Sequence, residues 1–199
     1  MTEGVFLTHY QIGRSKTNLI TMGDVLTEIK IREEELCRVA RTVEGELRKV
    51  SLEKIISRIS FNLKNLSFET LELFKRNLLM IGNDLIYFRA FDSWEWEEFR
   101  TSQSKTIVKI ARTSRRFISI EGVWDVNDTD RITNYYSGGT FDEESYTITL
   151  GTALPQDNME VVVRYLYQGW KGVVRDIDYR PTGRRDSGVY ELSFELVGQ

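Results

Sequence analysis

The stretch KIISRISFNLK, residues 54–64, decides the fold class. Every second residue is apolar apart from Ser57, and the residues between them are polar apart from Ile56; the apolar set is Ile55, Ile59, Phe61 and Leu63. Neighbouring side chains of a strand point to opposite faces. The stretch is therefore predicted to be a β-strand with one dry and one wet face.

Further stretches repeat this period of two. Asp24–Arg32 places Val25, Thr27, Ile29 and Ile31 on one face. Strands are also predicted over residues 84–91, 105–112, 117–126, 145–150, 159–167, 173–179 and 189–197, with Gly- and Pro-containing turns between several of them. The fold class predicted is mainly β, a β-sandwich or partial barrel with one flanking α-helix.

The one predicted helix begins after Ser67, a good N-cap residue, and has Glu69 in its first turn. The apolar residues at helical spacing are Phe68, Leu71, Phe74 and Leu78. Arg76 and Gly82 mark its end. Because the helix is at most about fourteen residues long, its stability has to come from packing on the sheet.

The composition argues against common enzyme chemistry. The net charge is −3, and the chain has one cysteine, Cys37, and one histidine, His9. A disulfide framework and a zinc site rich in Cys or His are excluded, and a Ser–His–Asp triad is improbable. No nucleotide-binding glycine motif is present. We predict a protein that is not an enzyme, with no catalytic residues, no metal and no cofactor.

Charge is concentrated in a few segments that we expect to contact other subunits. A hairpin is predicted over Glu33–Glu53, with its tip at residues 43–47. A basic segment over residues 105–116 precedes an acidic one over residues 121–160, and the two can complement each other between subunits. Contact of the basic segment with phosphate, or a solvated face, is the alternative. The candidate interface residues are Glu33, Glu34, Glu35, Arg41, Glu44, Glu46, Arg48, Lys49, Arg112, Arg115 and Arg116.

Two other features have simple structural interpretations. Asp125–Asp130 begins like a calcium-binding EF-hand loop, but Asp130 stands where the loop needs Gly and Tyr136 where it needs Glu, so an acidic turn is favoured. Trp94 and Trp96 share a strand face among acidic residues. A buried or subunit-facing pair is favoured there over a stacking platform for sugars or bases.

The order of elements resembles the tail-tube proteins of long-tailed bacteriophages. The resemblance is carried by a strand, a long charged hairpin, a second strand and the helix that opens at Ser67–Leu73. The segments Ile132–Tyr136, Tyr146–Leu150 and Val161–Tyr165 add to it. It covers most of residues 1–199 as a single tube-like domain. A β-rich segment around residues 92–168 is a candidate insertion, because its beginning has no counterpart in the family.

The resemblance implies a structural subunit of the virion tail, assembled in the host cytoplasm into stacked, hexameric rings. Its partners would be copies of itself and other tail proteins, with DNA passing through the lumen without specific binding and no membrane involved. A distal tail or baseplate ring component is the alternative within that class. Outside it stand a carbohydrate-binding β-sandwich that uses Trp94, Trp96 and Tyr135, and a hydrolase with a carboxylate pair.

Overall fold

The computed structural model describes residues 6–41, 47–79, 85–182 and 188–198, with their side chains except at residues 6–9, 38–53, 77 and 79. Most of the described residues lie in strands, and few are helical. The predicted class is confirmed: the protein is mainly β, with a large antiparallel sheet and one α-helix, consistent with a β-sandwich or partial barrel.

Eleven strands and one α-helix follow one another in the described residues. They are β1 Phe6–Gly13, β2 Ile20–Thr21, β3 Leu26–Arg41, β4 Leu47–Ser67, α1 Phe68–Phe74, β5 Ile86–Thr101, β6 Ile107–Lys109, β7 Arg115–Asp125, β8 Thr140–Asp142, β9 Thr147–Thr149, β10 Glu160–Pro181 and β11 Val189–Gly198. A short 3-10 turn, Gly23–Val25, precedes β3, and a π-helical turn, Lys75–Leu79, follows α1.

The strands form two sheets. The large sheet has the order β2-β1-β5-β10-β11-β4-β3, and β7 also pairs with β10. A three-stranded sheet has the order β6-β9-β8. In the large sheet β3 pairs with β4, β4 with β11, and β11 with β10, all antiparallel.

The chain divides into two compact units. The larger unit consists of the described residues of Phe6–Ala90, Ser114–Arg116 and Gly169–Gln199. The smaller unit contains Phe91–Thr113 and Phe117–Gln168. The smaller unit thus overlaps the range 92–168 that the sequence marks as a candidate insertion.

The core of the larger unit lies on the dry face predicted from residues 54–64. Ile59, Phe61 and Leu63 are each 1% exposed. Phe61 stacks on Phe194 of β11 at 4.8 Å between ring centroids and meets Phe88 of β5 edge-on at 4.9 Å. The alternation therefore reports the buried face correctly over residues 57–63. At its start Ile55 is only half-buried, and Ile56, on the opposite parity, is 7% exposed.

Helix α1 completes this core. Ser67 is its N-cap, as predicted, and the Ser67 side chain accepts a hydrogen bond from the Thr70 amide at 3.1 Å. Leu71 and Phe74 are buried as expected; Leu78 is buried too, but it lies in the π-helical turn, because the α-helix ends at Phe74. The expectation for Phe68 is wrong: at the first helical position its ring is 58% exposed, 6.1 Å from Tyr190.

The predicted strand boundaries are wrong at β10. The sequence pattern predicts two strands, 159–167 and 173–179, whereas β10 is one continuous strand, Glu160–Pro181. The glycines between the two serve close packing instead of a turn. A Cβ on Gly169 would lie 2.1 Å from the Phe88 carbonyl oxygen, and one on Gly172 would lie 2.2 Å from that of Val197.

The core of the smaller unit is built on the first half of β10. Val161, Val163 and Tyr165 are fully buried. The Phe117 ring of β7 meets the Tyr165 ring at 4.8 Å. From the three-stranded sheet, Val108 and Ile148 are also fully buried and face each other in register.

Candidate assembly surface

Strand β3 forms one end of the large sheet. This sixteen-residue strand pairs with β4 from Leu26, opposite Leu63, to Arg41, opposite Leu47, with Thr27 at a register shift. In the described part of the chain, β4 is the only strand beside it in the sheet order. Backbone groups on the outer side of such an edge are a template for another strand.

The apolar face of β3 is partly open. Ile29 lies opposite Phe61 and Ile31 opposite Ile59, so both belong to the dry face. Ile59 is 1% exposed, but Ile31 is 45% exposed. The predicted four-residue face holds only for the two isoleucines, because Val25 lies in the 3-10 turn and the register shifts between Leu26 and Glu28.

The wet face of the same strands carries ion pairs. Arg58 of β4 contacts Glu34 of β3 at 2.9 Å and Glu195 of β11 at 3.2 Å. The Glu34 carboxylate, which accepts a hydrogen bond from Arg58, raises the pKa of that guanidinium above its ordinary value. A similar pair joins Lys30 to Glu28 at 3.0 Å. Glu191 of β11 contacts both Lys64, at 3.8 Å, and Arg180, at 3.0 Å. Exposed pairs of this kind add little stability.

Strands β3 and β4 continue beyond the rest of the sheet. Strand β11 pairs with β4 only as far as Arg58, opposite Val197. The β3–β4 pairing runs on past that point to Arg41 and Leu47, with a register shift between Leu36 and Cys37. Residues 34–41 and 47–56 therefore form a two-stranded ribbon, whose root lies at Glu33 and Ser57.

The predicted hairpin residues lie along this ribbon. Glu33, Glu34 and Glu35 are exposed residues at and just beyond its root, with Glu34 on the face opposite to that of Glu33 and Glu35. Arg41, Arg48 and Lys49 lie in its strands by backbone position, and their side chains are outside the described set. Glu44 and Glu46 lie outside the described residues.

The expectation of an exposed basic patch at Arg112, Arg115 and Arg116 is wrong. Arg115 is 2% exposed and Arg116 is 8% exposed. Arg115 contacts Glu33 at 2.9 Å, and Arg116 donates to the Lys16 carbonyl at 2.7 Å. Because these guanidinium groups find partners in their own chain, they are not offered to a neighbouring subunit.

Arg112 lies in the smaller unit, where it contacts the buried Glu98 at 3.4 Å. Its guanidinium also lies over the Trp96 ring, 5.1 Å from the centroid. Although its neighbours in sequence are acidic, Trp96 therefore also lies beside a basic residue. With Arg112 over Trp96, that ring is not an open stacking platform, and Trp94 contacts Phe91 at 5.0 Å instead.

Adjacent carboxylates on β5 have separate structural partners. Glu98 is 3% exposed; it accepts a hydrogen bond from the Ala111 amide at 2.6 Å and one from the Tyr165 hydroxyl at 3.2 Å. Glu97, half-buried, contacts Arg131 and Arg164. Neighbours on a strand face opposite ways, so these two do not form an acid–base pair.

The Asp125–Asp130 segment is a turn held by its own carboxylates, as favoured from the sequence. Asp125 accepts a hydrogen bond from the Asn127 amide at 2.8 Å and Asp128 one from the Thr133 amide at 3.0 Å. The latter bond lowers the pKa of Asp128. Across the described ranges, no group of three or more Asp, Glu, His or Cys side chains could hold a metal ion. No helix there is long and apolar enough to cross a bilayer.

Three residues that matter at the ribbon root were not singled out as a group by the sequence: Ser57, Ser114 and Arg115. All three are polar and at most 2% exposed. The only signal was Ser57, a polar residue on the apolar parity of residues 54–64.

A scan against protein-family models finds no match, and a comparison with curated proteins finds none either.

Proposed function

We propose that this chain is a structural subunit of a bacteriophage tail that assembles into stacked rings forming the tail tube. The observation that carries the proposal is the sixteen-residue edge strand β3, with its partly open apolar face and the ribbon that extends it. A distal tail or baseplate ring made of the same subunits is the alternative within this class. In both, the chain acts by assembling and not by catalysis.

The ring contact would be head-to-tail. One end of the large sheet is β3, and the other is the two-residue strand β2 against β1. Joining the β3 edge of one copy to the β1–β2 end of the next continues the sheet from subunit to subunit. A contact between two different surfaces closes into a ring when the rotation permits. The ribbon would then contact the adjacent ring.

The proposal is tested by placing a charge on the edge. Ile31→Lys puts an ammonium group on the open apolar face of β3, a device that natural edge strands use against strand pairing. Ile132→Lys is the matched control, because Ile132 is 82% exposed and lies in the smaller unit. Sedimentation and negative-stain microscopy at rising concentration should show assembly of the wild type and the control, and not of Ile31→Lys.

Both variants should keep the wild-type circular dichroism spectrum, since exposed substitutions seldom cost more than about 0.5 kcal/mol. Equal assembly of Ile31→Lys and wild type would rule out the β3 edge as the ring contact. Failure of the wild type to assemble at any concentration, even when seeded with tail fragments, would count against the tail function itself.

A further inference from the structure

Ser114, Arg115 and Arg116 form a polar segment inside the larger unit, although the residues before and after them in sequence belong to the smaller unit. Ser114 is fully buried, Arg115 is 2% exposed and Arg116 is 8% exposed. Burying hydroxyl and guanidinium groups is costly unless they are hydrogen-bonded. The partners of these three residues therefore indicate what the segment does.

Ser114 occupies the place where β11 stops supporting β4. The β4–β11 ladder ends at Arg58, and the next amide on β4, that of Ser57, donates to Ser114 Oγ at 3.0 Å. The Ser114 hydroxyl donates to Ser57 Oγ at 2.9 Å, and its carbonyl accepts from the Lys171 amide at 2.7 Å. A Cβ on Gly198 would lie 2.1 Å from Ser114 Cβ, so glycine is required there.

Arg115 contacts β3 at the residue that pairs with Ser57 of β4. Its Nη2 contacts Glu33 Oε1 at 2.9 Å, and Glu33 is the β3 residue in register with Ser57. Arg116 Nη2 donates to the Lys16 carbonyl, between β1 and β2, at 2.7 Å. The three residues thus hold β3, β4, β10 and the β1–β2 connection at the ribbon root.

We propose that Ser114–Arg116 is a clasp that fixes the root of the ribbon, with Arg115 as a positioning residue for the β3 edge. A two-stranded ribbon is at best marginally stable by itself. Fixing its root limits the conformations of the strands beyond it, and a preorganised edge loses less entropy when another copy binds. The role of that edge in assembly rests on the proposed function, whereas the clasp itself does not.

Hydrogen exchange of the full-length chain, kept dilute, tests the clasp without assembly. Arg115→Met removes the charge and keeps the bulk, and Glu33→Gln changes the more exposed partner of the pair. In both variants the ribbon amides, residues 34–41 and 47–56, should exchange about 10-fold faster, a change of one decade in the local opening equilibrium. Amides of residues 58–67, which β11 supports, should keep their wild-type rates. Arg180→Met, in a pair that is 72% exposed on the arginine side, is the matched control.

Unchanged ribbon exchange in both variants, or equal acceleration over the whole larger unit, would overturn the clasp. If Arg115→Met does not fold, Glu33→Gln and the charge-retaining Arg115→Lys test the clasp instead. The ribbon amides should then exchange more slowly in Arg115→Lys than in Glu33→Gln. Assembly is measured separately. The concentration at which rings form should rise about 10-fold in Glu33→Gln, because the binding-competent conformation of the β3 edge becomes about 10-fold less populated. A wild type that never assembles, with ribbon-local exchange in the variants, would overturn the proposed function and leave the clasp standing.

Discussion

Ser67 is the residue at which the large sheet turns into a helix. Its backbone is extended, and its hydroxyl accepts the Thr70 amide, so one residue ends β4 and caps α1. Helix α1 contacts β4 and β11, and its Leu71 and Phe74 are 2% and 1% exposed. The helix therefore depends on tertiary packing more than on its cap.

This difference gives a stability prediction. Leu71→Ala and Phe74→Ala should each lower the free energy of unfolding by about 2–5 kcal/mol, because each loses transfer free energy and leaves a cavity. Ser67→Ala should cost about 1 kcal/mol, the usual value of a cap. Phe68→Ala, at a 58% exposed position, is the control and should cost below about 0.5 kcal/mol. Denaturant melts would measure all four, and losses near zero at both Leu71 and Phe74 would contradict the packing described.

Burial of Arg115 changes what a charge reversal there should do. An exposed patch would tolerate Arg115→Glu, but this guanidinium is 2% exposed and contacts Glu33. The variant places two carboxylates together and leaves the first without its partner, so it should cost about 3–5 kcal/mol. Arg180→Glu is the matched reversal at an exposed pair and should cost about 1 kcal/mol or less. Equal melting midpoints for the two variants would contradict the buried pair.

The stability of the protein at low pH should depend on Asp142, whose carboxylate accepts hydrogen bonds within a turn. The Ser145 hydroxyl and then the Glu144 amide donate to it, and these bonds lower its pKa below the ordinary 3.8. A lowered pKa means that the stabilisation is present above pH 3.8 and is lost as the pH falls through the folded-state value. The melting temperature of Asp142→Asn should therefore fall less steeply than that of wild type below pH 4. A carboxyl pKa of 3.8 or higher by NMR would contradict this.

At the scale of elements, the sequence predicts the strands and the helix in which apolar residues recur at a regular spacing. Residues 54–64 and the Ser67 helix have clear periods, and both were found. Strands β2 and β8 have only two and three residues, too few for an alternation to be recognised. The predicted break in β10 covers residues 168–172, where Gly169 and Gly172 pack on Phe88 and Val197, which are distant in sequence.

Only part of the candidate assembly surface could be predicted from the sequence. The charged hairpin is local in sequence, so its position between two patterned strands could be inferred from residues 24–64. The clasp could not, because Ser57, Ser114 and Glu33 meet only through the fold. The basic residues Arg115 and Arg116 look like a surface patch until their partners in the same chain are known.

The ribbon itself provides an element-scale prediction. Deleting residues 41–47 shortens the part of β3 and β4 that β11 does not support. Because the core of the larger unit lies at residues 59–63 and on α1, the variant should fold as a monomer with nearly the wild-type melting temperature. It should fail to stack rings in sedimentation and microscopy. Tubes formed by the variant, or a melting temperature far below that of the wild type, would contradict an assembly role for the ribbon.

At the scale of the whole molecule, the charges available for assembly are mixed in sign. With Arg115 and Arg116 buried, the exposed charges of β3 at its edge include Lys30, Arg32, Glu34 and Glu35. The net charge of the chain is only −3. We therefore expect strand pairing and apolar burial to drive assembly and electrostatics to modify it.

Salt should consequently slow assembly without abolishing it. The Debye length falls from about 8 Å at 0.15 M to about 3 Å at 1 M, so only close or partly buried pairs survive at the higher salt. Obligate ring interfaces bury more than about 2,000 Å² and are largely apolar, and screening leaves that part intact. Sedimentation across a salt series would compare wild type with Arg32→Glu, at the edge, and with Lys109→Glu, an exposed control in the smaller unit. Arg32→Glu should alter the salt dependence and Lys109→Glu should not. Complete loss of wild-type assembly at 1 M salt would mean that charge, and not the β3 edge, holds the rings together.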